Sequence, residues 1–217
     1  MKTKTAKCTV TGHSGCENTA PNSIESIKKA FEAGADITEI DIRFEKDGTP
    51  VLSHDAANDN ALTLDEAFAA ARPLGNMQIN LDIKETSHLR NIIPIAEKYS
   101  ITERLFCTGI FEKDVEEMKK QLPGYDYYLN IKLRSRFFQS ASYYNKICRT
   151  IKENGAIGLN SNYKNLTAKL VEHLHKNDLL VSAWTVDNED DMQKIFALGV
   201  DNITTRRPAK LAKIIKK

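Results

Sequence analysis

Residues 22–44 read NSIESIKKAFEAGADITEIDIRF, and this stretch carries both periodicities on which the fold depends. In its first half Ile24, Ile27 and Phe31 mark one face, joined by Ala30, which is the pattern of a helix with a single apolar stripe. Asn22 or Ser23 supplies the N-cap and Gly34 the C-terminal stop. In its second half, Ile37 to Phe44, apolar and charged residues alternate, as they do in a strand with two distinct faces.

The same cadence extends in both directions. Cys8–Gly12 reads as a strand before the helix, and Asp47-Gly48 as a turn leading to an extended piece at Val51–His54. Helical patterns follow at Leu64–Ala71, Leu89–Tyr99, Lys113–Gln121, Tyr143–Lys152, Leu166–Lys176, Asp190–Ala197 and Ala209–Ile215. Strand-like runs alternate with them at Met77–Lys84, Leu105–Thr108, Tyr125–Leu133, Ala156–Leu159, Leu179–Val186 and Asn202–Thr205. Roughly eight strand–helix units with short links predict a parallel sheet covered by helices, and a closed (β/α)8 TIM barrel rather than an open doubly wound sheet. Neither a GxGxxG nor a P-loop lysine motif occurs, which argues against nucleotide binding. With no linker, low-complexity stretch or close internal repeat, residues 1–217 are expected to form one barrel domain.

Composition narrows the partners. There are 31 basic and 29 acidic residues, a balance that argues against nucleic acid or stable membrane association. The basic run Arg206–Lys217 reads as a solvated final helix. Met1–Lys7 is basic but no apolar core follows it, and no apolar run is long enough to span a bilayer. A cytoplasmic location is therefore expected. Cys8, Cys16, Cys107 and Cys148 show no paired spacing, so reduced thiols are expected rather than disulfides or a zinc site.

Barrel chemistry gathers at the C-terminal ends of strands. His13 ends the first strand, His54 and Asp55 end the extended piece, and Asp82 and Lys84 end the strand after it. Glu39 and Asp41 are two apart, so they share a face while Ile40 and Ile42 point to the helices. Two carboxylates aimed into a barrel repel unless a positive charge lies between them, and a hard divalent cation with oxygen ligands meets that need. Asp82 offers a third oxygen, and Lys84, on the face of Asp82, offers a contact to an anionic substrate.

The ordered set of motifs resembles the glycerophosphodiester phosphodiesterase family along nearly the whole chain. It comprises His13-Ser14-Gly15, Asn22-Ser23, Gly34-Ala35-Asp36, Glu39-Ile40-Asp41, Lys46-Asp47-Gly48 and His54-Asp55. Thr63-Leu64-Asp65-Glu66, Ala183-Trp184-Thr185-Val186 and the Gly199–Thr205 run complete it. The resemblance implies a TIM-barrel phosphodiesterase of lipid metabolism that releases glycerol 3-phosphate from a small glycerophosphodiester. It assigns His13 and His54 as the general acid/base pair and Glu39, Asp41 and Asp82 as ligands of one divalent cation, magnesium or calcium ahead of manganese. It places Lys84 at the phosphate.

Two departures stand out. Ser14 replaces the arginine of the family's His-Arg-Gly, exchanging a bidentate cation for one neutral hydroxyl. Arg43, on the Glu39/Asp41 face, is the expected compensator. The link Ala56–Leu62 is short where relatives carry a longer insertion, which predicts a more open pocket, with Trp184 as an apolar wall. The competing readings are a phospholipase of the sphingomyelinase-D type and a catalytically silent barrel that binds a phosphate compound. The oligomeric state and the alcohol moiety are left open.

Overall fold

The computed structural model describes residues 8–56 and 60–216. The basic segment Met1–Lys7 and the middle of the Ala56–Leu62 link lie outside the described residues. In chain order the main elements are β1 (Thr9–Gly12), α1 (Ile24–Glu32), β2 (Ile37–Phe44), β3 (Pro50–Leu52), α2 (Leu64–Ala71) and β4 (Gln78–Ile83). Then come α3 (Ile92–Tyr99), β5 (Leu105–Ile110), α4 (Val115–Gln121), β6 (Tyr127–Asn130), α5 (Ala141–Glu153) and β7 (Gly158–Asn162). The chain closes with α6 (Ala168–His175), β8 (Leu180–Trp184), α7 (Glu189–Ala197), β9 (Asn202–Thr205) and α8 (Pro208–Ile215).

The sheet order is β1-β9-β8-β7-β6-β5-β4-β2-β3, and pairing of β1 with β2 closes it. Eight strands are parallel and form the barrel, a (β/α)8 TIM barrel as the alternation predicted. β3 is different: it pairs antiparallel with the end of β2, Ile42 opposite Leu52, and so carries His54 to the rim.

Side-chain alternation on the strands sets the layers. Ile40 and Ile42 are buried toward the helices, in one cluster with Ile27 and Ala30 of α1 and Phe68 of α2. A small separate cluster of Ile37, Phe106 and Tyr128, with Leu180 packed on it, forms an apolar plug within the barrel. Further along the same strands the inward positions turn polar: Asn80, Thr108, Asn160, Ser182 and Asn202 are all buried. They satisfy one another, as buried polar groups must. Thr108 Oγ1 lies 3.0 Å from Asn80 Oδ1, Asn160 Nδ2 donates to Asn130 Oδ1 (2.9 Å) and Asn202 Nδ2 donates to Ser182 Oγ (2.9 Å). The carboxylates of the site sit above this polar layer.

Ser23, not Asn22, caps α1, its hydroxyl accepting from Ser26 N. Such a cap contributes about 1 kcal/mol. Gly34 follows α1 at φ 76°, a conformation in which glycine has no Cβ penalty. Two motif aspartates staple the start of the barrel: Asp36 Oδ2 accepts from Val10 N (2.9 Å) and Asp201 Oδ2 from Val181 N (2.8 Å). Among the described residues no helix is long and apolar enough to cross a membrane.

Candidate active site

β2 and β4 run in register, with Glu39 beside Asn80 and Asp41 beside Asp82. Because partners in a parallel pair point the same way, the register alone brings Asp41 and Asp82 together above the polar layer. Oxygen atoms of Glu39, Asp41 and Asp82 all lie within 4.8 Å of one another. Glu39 and Asp41 are buried, and Asp82 is half-buried. Asn80 Nδ2 donates to Glu39 Oε2 (3.4 Å), and Thr108 Oγ1 donates toward Asp82 Oδ1 (2.9 Å).

Charge is the difficulty of this arrangement. Burial, together with the negative charges of Asp82 and Asp41, pushes the Glu39 carboxyl well above the usual carboxylate range. One cation answers the three carboxylates: Lys84 Nζ lies 2.8 Å from Asp41 Oδ1 and also contacts Asp82. Burial alone would pull the Lys84 ammonium down, but Asp82 and Asp41 outweigh it and its pKa is raised. Three convergent oxygen ligands, two of them buried and undercompensated, fit a hard divalent cation. Nitrogen and sulfur ligands play no part in the cluster.

Asn22 organises Asp41 from outside. With φ at 54°, it places its side chain so that Nδ2 donates to Asp41 Oδ2 (2.8 Å) while Oδ1 accepts from Asp41 N (3.0 Å). Ser14, which is buried, holds Asn22 in turn: its Oγ accepts from Asn22 N at 2.7 Å. The serine therefore fixes a backbone turn, a use the sequence did not reveal.

His13 follows β1 directly, and its Nε2 lies 3.6 Å from Glu39 Oε1. Its Nδ1 is 2.7 Å from the Ser14 carbonyl oxygen. A carbonyl can only accept, so Nδ1 carries the hydrogen and Nε2 of the neutral ring keeps its lone pair. Burial holds the imidazole below the ordinary histidine value, helped by Arg206 and opposed by the Ser14 contact and by Asp41 and Asp82. His54 stands at the outer rim, its side chain 67% exposed against 19% for His13. Its Nδ1 is 3.1 Å from Asp55 Oδ1.

Both histidines, Glu39, Asp82, Lys84 and Trp184 line one cavity of about 480 Å³ at the C-terminal face. A second cavity of about 650 Å³ adjoins it, sharing His13, His54 and Arg206 and reaching Asp41 and Ser14. Arg43 lines neither. Arg43, the expected compensator, is engaged elsewhere in this arrangement: its Nε donates to the His54 carbonyl (3.2 Å) and its Nη1 lies 3.6 Å from Glu85 Oε2. Parity placed it on the correct face, but a carboxylate two residues beyond the β4 end draws the guanidinium aside.

Arg206 was missed from sequence and lines both cavities. It follows β9, where Thr205 pairs with Gly12, so it emerges beside His13. Asp187 orients it, accepting from its backbone N (2.7 Å) and its Nη1 (2.8 Å). The available signal was its place immediately after a strand end; the basic run that follows disguised it. All four cysteines are free and buried, Cys16 lying beneath Ser26 and outside both cavities.

The fold and site thus define a TIM-barrel hydrolase type, with an acidic cluster and imidazoles facing one cavity. The sequence matches the Glycerophosphoryl diester phosphodiesterase family over residues 13–139 and 123–210, and the chain belongs to that family as a phosphoric diester hydrolase. A glycerophosphodiester phosphodiesterase of Caldanaerobacter subterraneus subsp. tengcongensis is 26% identical to it, over 97% of this chain and 99% of the relative. Among solved structures, a glycerophosphoryl diester phosphodiesterase of Silicibacter pomeroyi superposes with a TM-score of 0.83 at 16% identity, covering 98% of this chain and 94% of the other. An Oleispira antarctica phosphodiesterase, solved with the product sn-glycerol-3-phosphate, gives 0.78 at 17% identity, with 96% and 97% covered.

Proposed function

We propose that this protein hydrolyses a small glycerophosphodiester to glycerol 3-phosphate and an alcohol, with one divalent cation at Glu39, Asp41 and Asp82. The observation that carries this reading is the convergence of His13, His54, Lys84 and the acidic cluster on one cavity. Residues 1–217 act as one barrel domain in this reading, and its four buried, unbridged thiols fit a reducing compartment such as the cytoplasm. Magnesium or calcium is favoured by the all-oxygen ligand set, with manganese next.

The bound ion would supply Lewis-acid charge against the phosphoryl oxygens. The chain's own residues do the rest. His13 Nε2, unprotonated because Nδ1 is engaged by Ser14, accepts the proton of the attacking substrate hydroxyl. That hydroxyl displaces the alcohol and leaves a cyclic phosphate, which water then opens to glycerol 3-phosphate. His54, on the open side of the same cavity and backed by Asp55, returns a proton to the leaving alkoxide. Lys84 and Arg206 hold phosphoryl oxygens as negative charge grows there, Arg206 providing the guanidinium that Ser14 lacks. Trp184 forms a wall that shields one side from water.

The test is release of glycerol 3-phosphate from glycerophosphocholine and glycerophosphoethanolamine, with each metal, with chelator, and in His13→Ala and His54→Ala. Metal-dependent release that disappears in both variants is expected. No release with any metal would reject these two substrates and point to another diester or to a phosphate-binding barrel.

A further inference from the structure

Beside the catalytic cavity lies a further groove with an excess of basic residues. It occupies about 430 Å³ along the ends of β5 and β6 and the outer side of α5. Lys113, Lys132, Arg134 and Lys146 line it, and Glu112 is the one acidic residue of its wall. Phe111, Lys113 and Asn130 belong to both walls, so the groove adjoins the catalytic cavity across a shared rim.

Three observations characterise this groove. Like most surface lysines here, Lys113, Lys132 and Lys146 are exposed and enter no ion pair among the described residues, but these three gather with Arg134 around one concavity. Arg134 is held in place: its guanidinium lies 5.4 Å from the Tyr143 ring centre, and its backbone N donates to Tyr143 Oη (3.0 Å). The charge balance also differs across the shared wall: the cavity mixes Glu39, Asp82, Glu85 and Asp114 with Lys84, Lys113 and Arg206, whereas the groove sets four cations against Glu112 alone. Unpaired cations beside a concave surface concentrate anions there.

Building on the diesterase reading above, we propose that this groove is a subsite for a second anionic group, so that the favoured substrates are diesters whose alcohol moiety carries another phosphate. The groove borders the cavity proposed to hold the scissile phosphorus, and in this proposal one small molecule reaches across the shared rim of Phe111, Lys113 and Asn130. Lys132, Arg134 and Lys146 meet the distal phosphate, and Lys113 sits between the two anions.

The experiment compares glycerophosphoinositol with glycerophosphoinositol 4-phosphate, which differ by one phosphate, in wild type and in Lys132→Glu/Lys146→Glu. The wild type is expected to prefer the phosphorylated compound in kcat/KM. Charge reversal is expected to lower that preference about three- to ten-fold, the scale of exposed charge contacts, while activity on glycerophosphocholine is retained. An unchanged preference with glycerophosphocholine still hydrolysed overturns the subsite and leaves the diesterase reading standing. If no diester is turned over, calorimetry of the two inositol compounds reads the groove directly: weaker binding of only the phosphorylated one by the variant upholds it, and equal binding overturns it. Loss of binding to phosphatidylglycerol vesicles with an unchanged substrate preference would assign the lysines to a lipid surface and also overturn it.

Discussion

Gly109 offers the sharpest test of how the barrel positions its acidic cluster. It sits in β5 at φ 78°, where the β5–β6 register shifts between Cys107 and Ile110. A Cβ there would lie 2.2 Å from Ile83 O, 2.8 Å from Ile83 N and 2.8 Å from Asp82 Oδ1. Two of the three obstacles are backbone atoms of the neighbouring strand, which no rotamer change can move. The left-handed conformation costs a non-glycine residue about 1–2 kcal/mol, and overpacking of this kind adds about 1–3 kcal/mol. Gly109→Ala should therefore destabilise the fold by roughly 2–5 kcal/mol, or about 4–20 °C in Tm for a chain of this size.

Gly75 provides the control. Its φ is 60°, yet a Cβ there meets nothing within 4 Å, so Gly75→Ala carries the conformational cost alone, about 1–2 kcal/mol. Urea unfolding of both variants isolates the steric part by subtraction. Catalysis separates them further, because only the Gly109 clash pushes on Asp82: diester turnover per folded molecule should collapse in Gly109→Ala and persist in Gly75→Ala. Equal destabilisation and equal turnover in the two variants would refute the claim that close approach of β5 to β4 sets the position of Asp82.

Asn22→Ala removes both bonds to Asp41, including the acceptor of Asp41 N; a stability loss of about 2–4 kcal/mol is expected, with weaker metal affinity measurable by calorimetry. Arg206→Ala should lower kcat/KM about 10- to 100-fold, the worth of a charge-assisted hydrogen bond, while Arg206→Lys recovers part of it because an ammonium keeps the charge but not the fork. Wild-type kinetics in the alanine variant would remove Arg206 from the site. The thiols should be silent in the native state: burial, with Asp201 and Asp36 nearby, pushes Cys8 up to about 12, and Cys107, fully buried, is raised as well. At pH 8 a disulfide reagent should label the cysteines only after denaturation, and fast labelling of the folded protein would contradict the burial.

Much of the fold was legible because it rests on periodicity. Leu64–Ala71 and Asn202–Thr205 occur as the sequence predicted, each a run bounded by polar or turn residues. The shared face of Glu39 and Asp41 followed from parity, and their union with Asp82 needed only the parallel register that barrel closure enforces. The polar layer was not legible. Asn80, Thr108, Asn160, Ser182 and Asn202 each look like the solvent face of a strand when read singly. Only closure of the sheet turns those faces inward, where they bond to one another. Reach was equally hidden: Arg43 and Arg206 are both arginines near strand ends, and which of them faces the cavity is decided by Glu85 and Asp187, whose positions depend on other strands.

Ser14 shows why a motif departure has to be judged by what the new residue holds. Counted as a missing cation, it weakens the site. Its backbone oxygen, however, fixes the His13 tautomer, and its hydroxyl ties down Asn22, which clamps Asp41 from two sides. One residue thus links the proposed base to a proposed metal ligand through hydrogen bonds of 2.7–3.0 Å. An arginine side chain, lacking an acceptor, could not take over the bond to Asn22 N. The cation then has to enter from another strand, and β9 is the neighbour of β1 in the barrel, with Thr205 opposite Gly12. Arg206 stands one residue beyond that pairing, tethered by Asp187 and with further N–H groups to offer. On this account Ser14 and Arg206 form one solution, and placing arginine there alone, as Ser14→Arg, should weaken metal affinity in calorimetry because it removes the hydroxyl that holds Asn22 N and so loosens the turn from which Asn22 clamps Asp41.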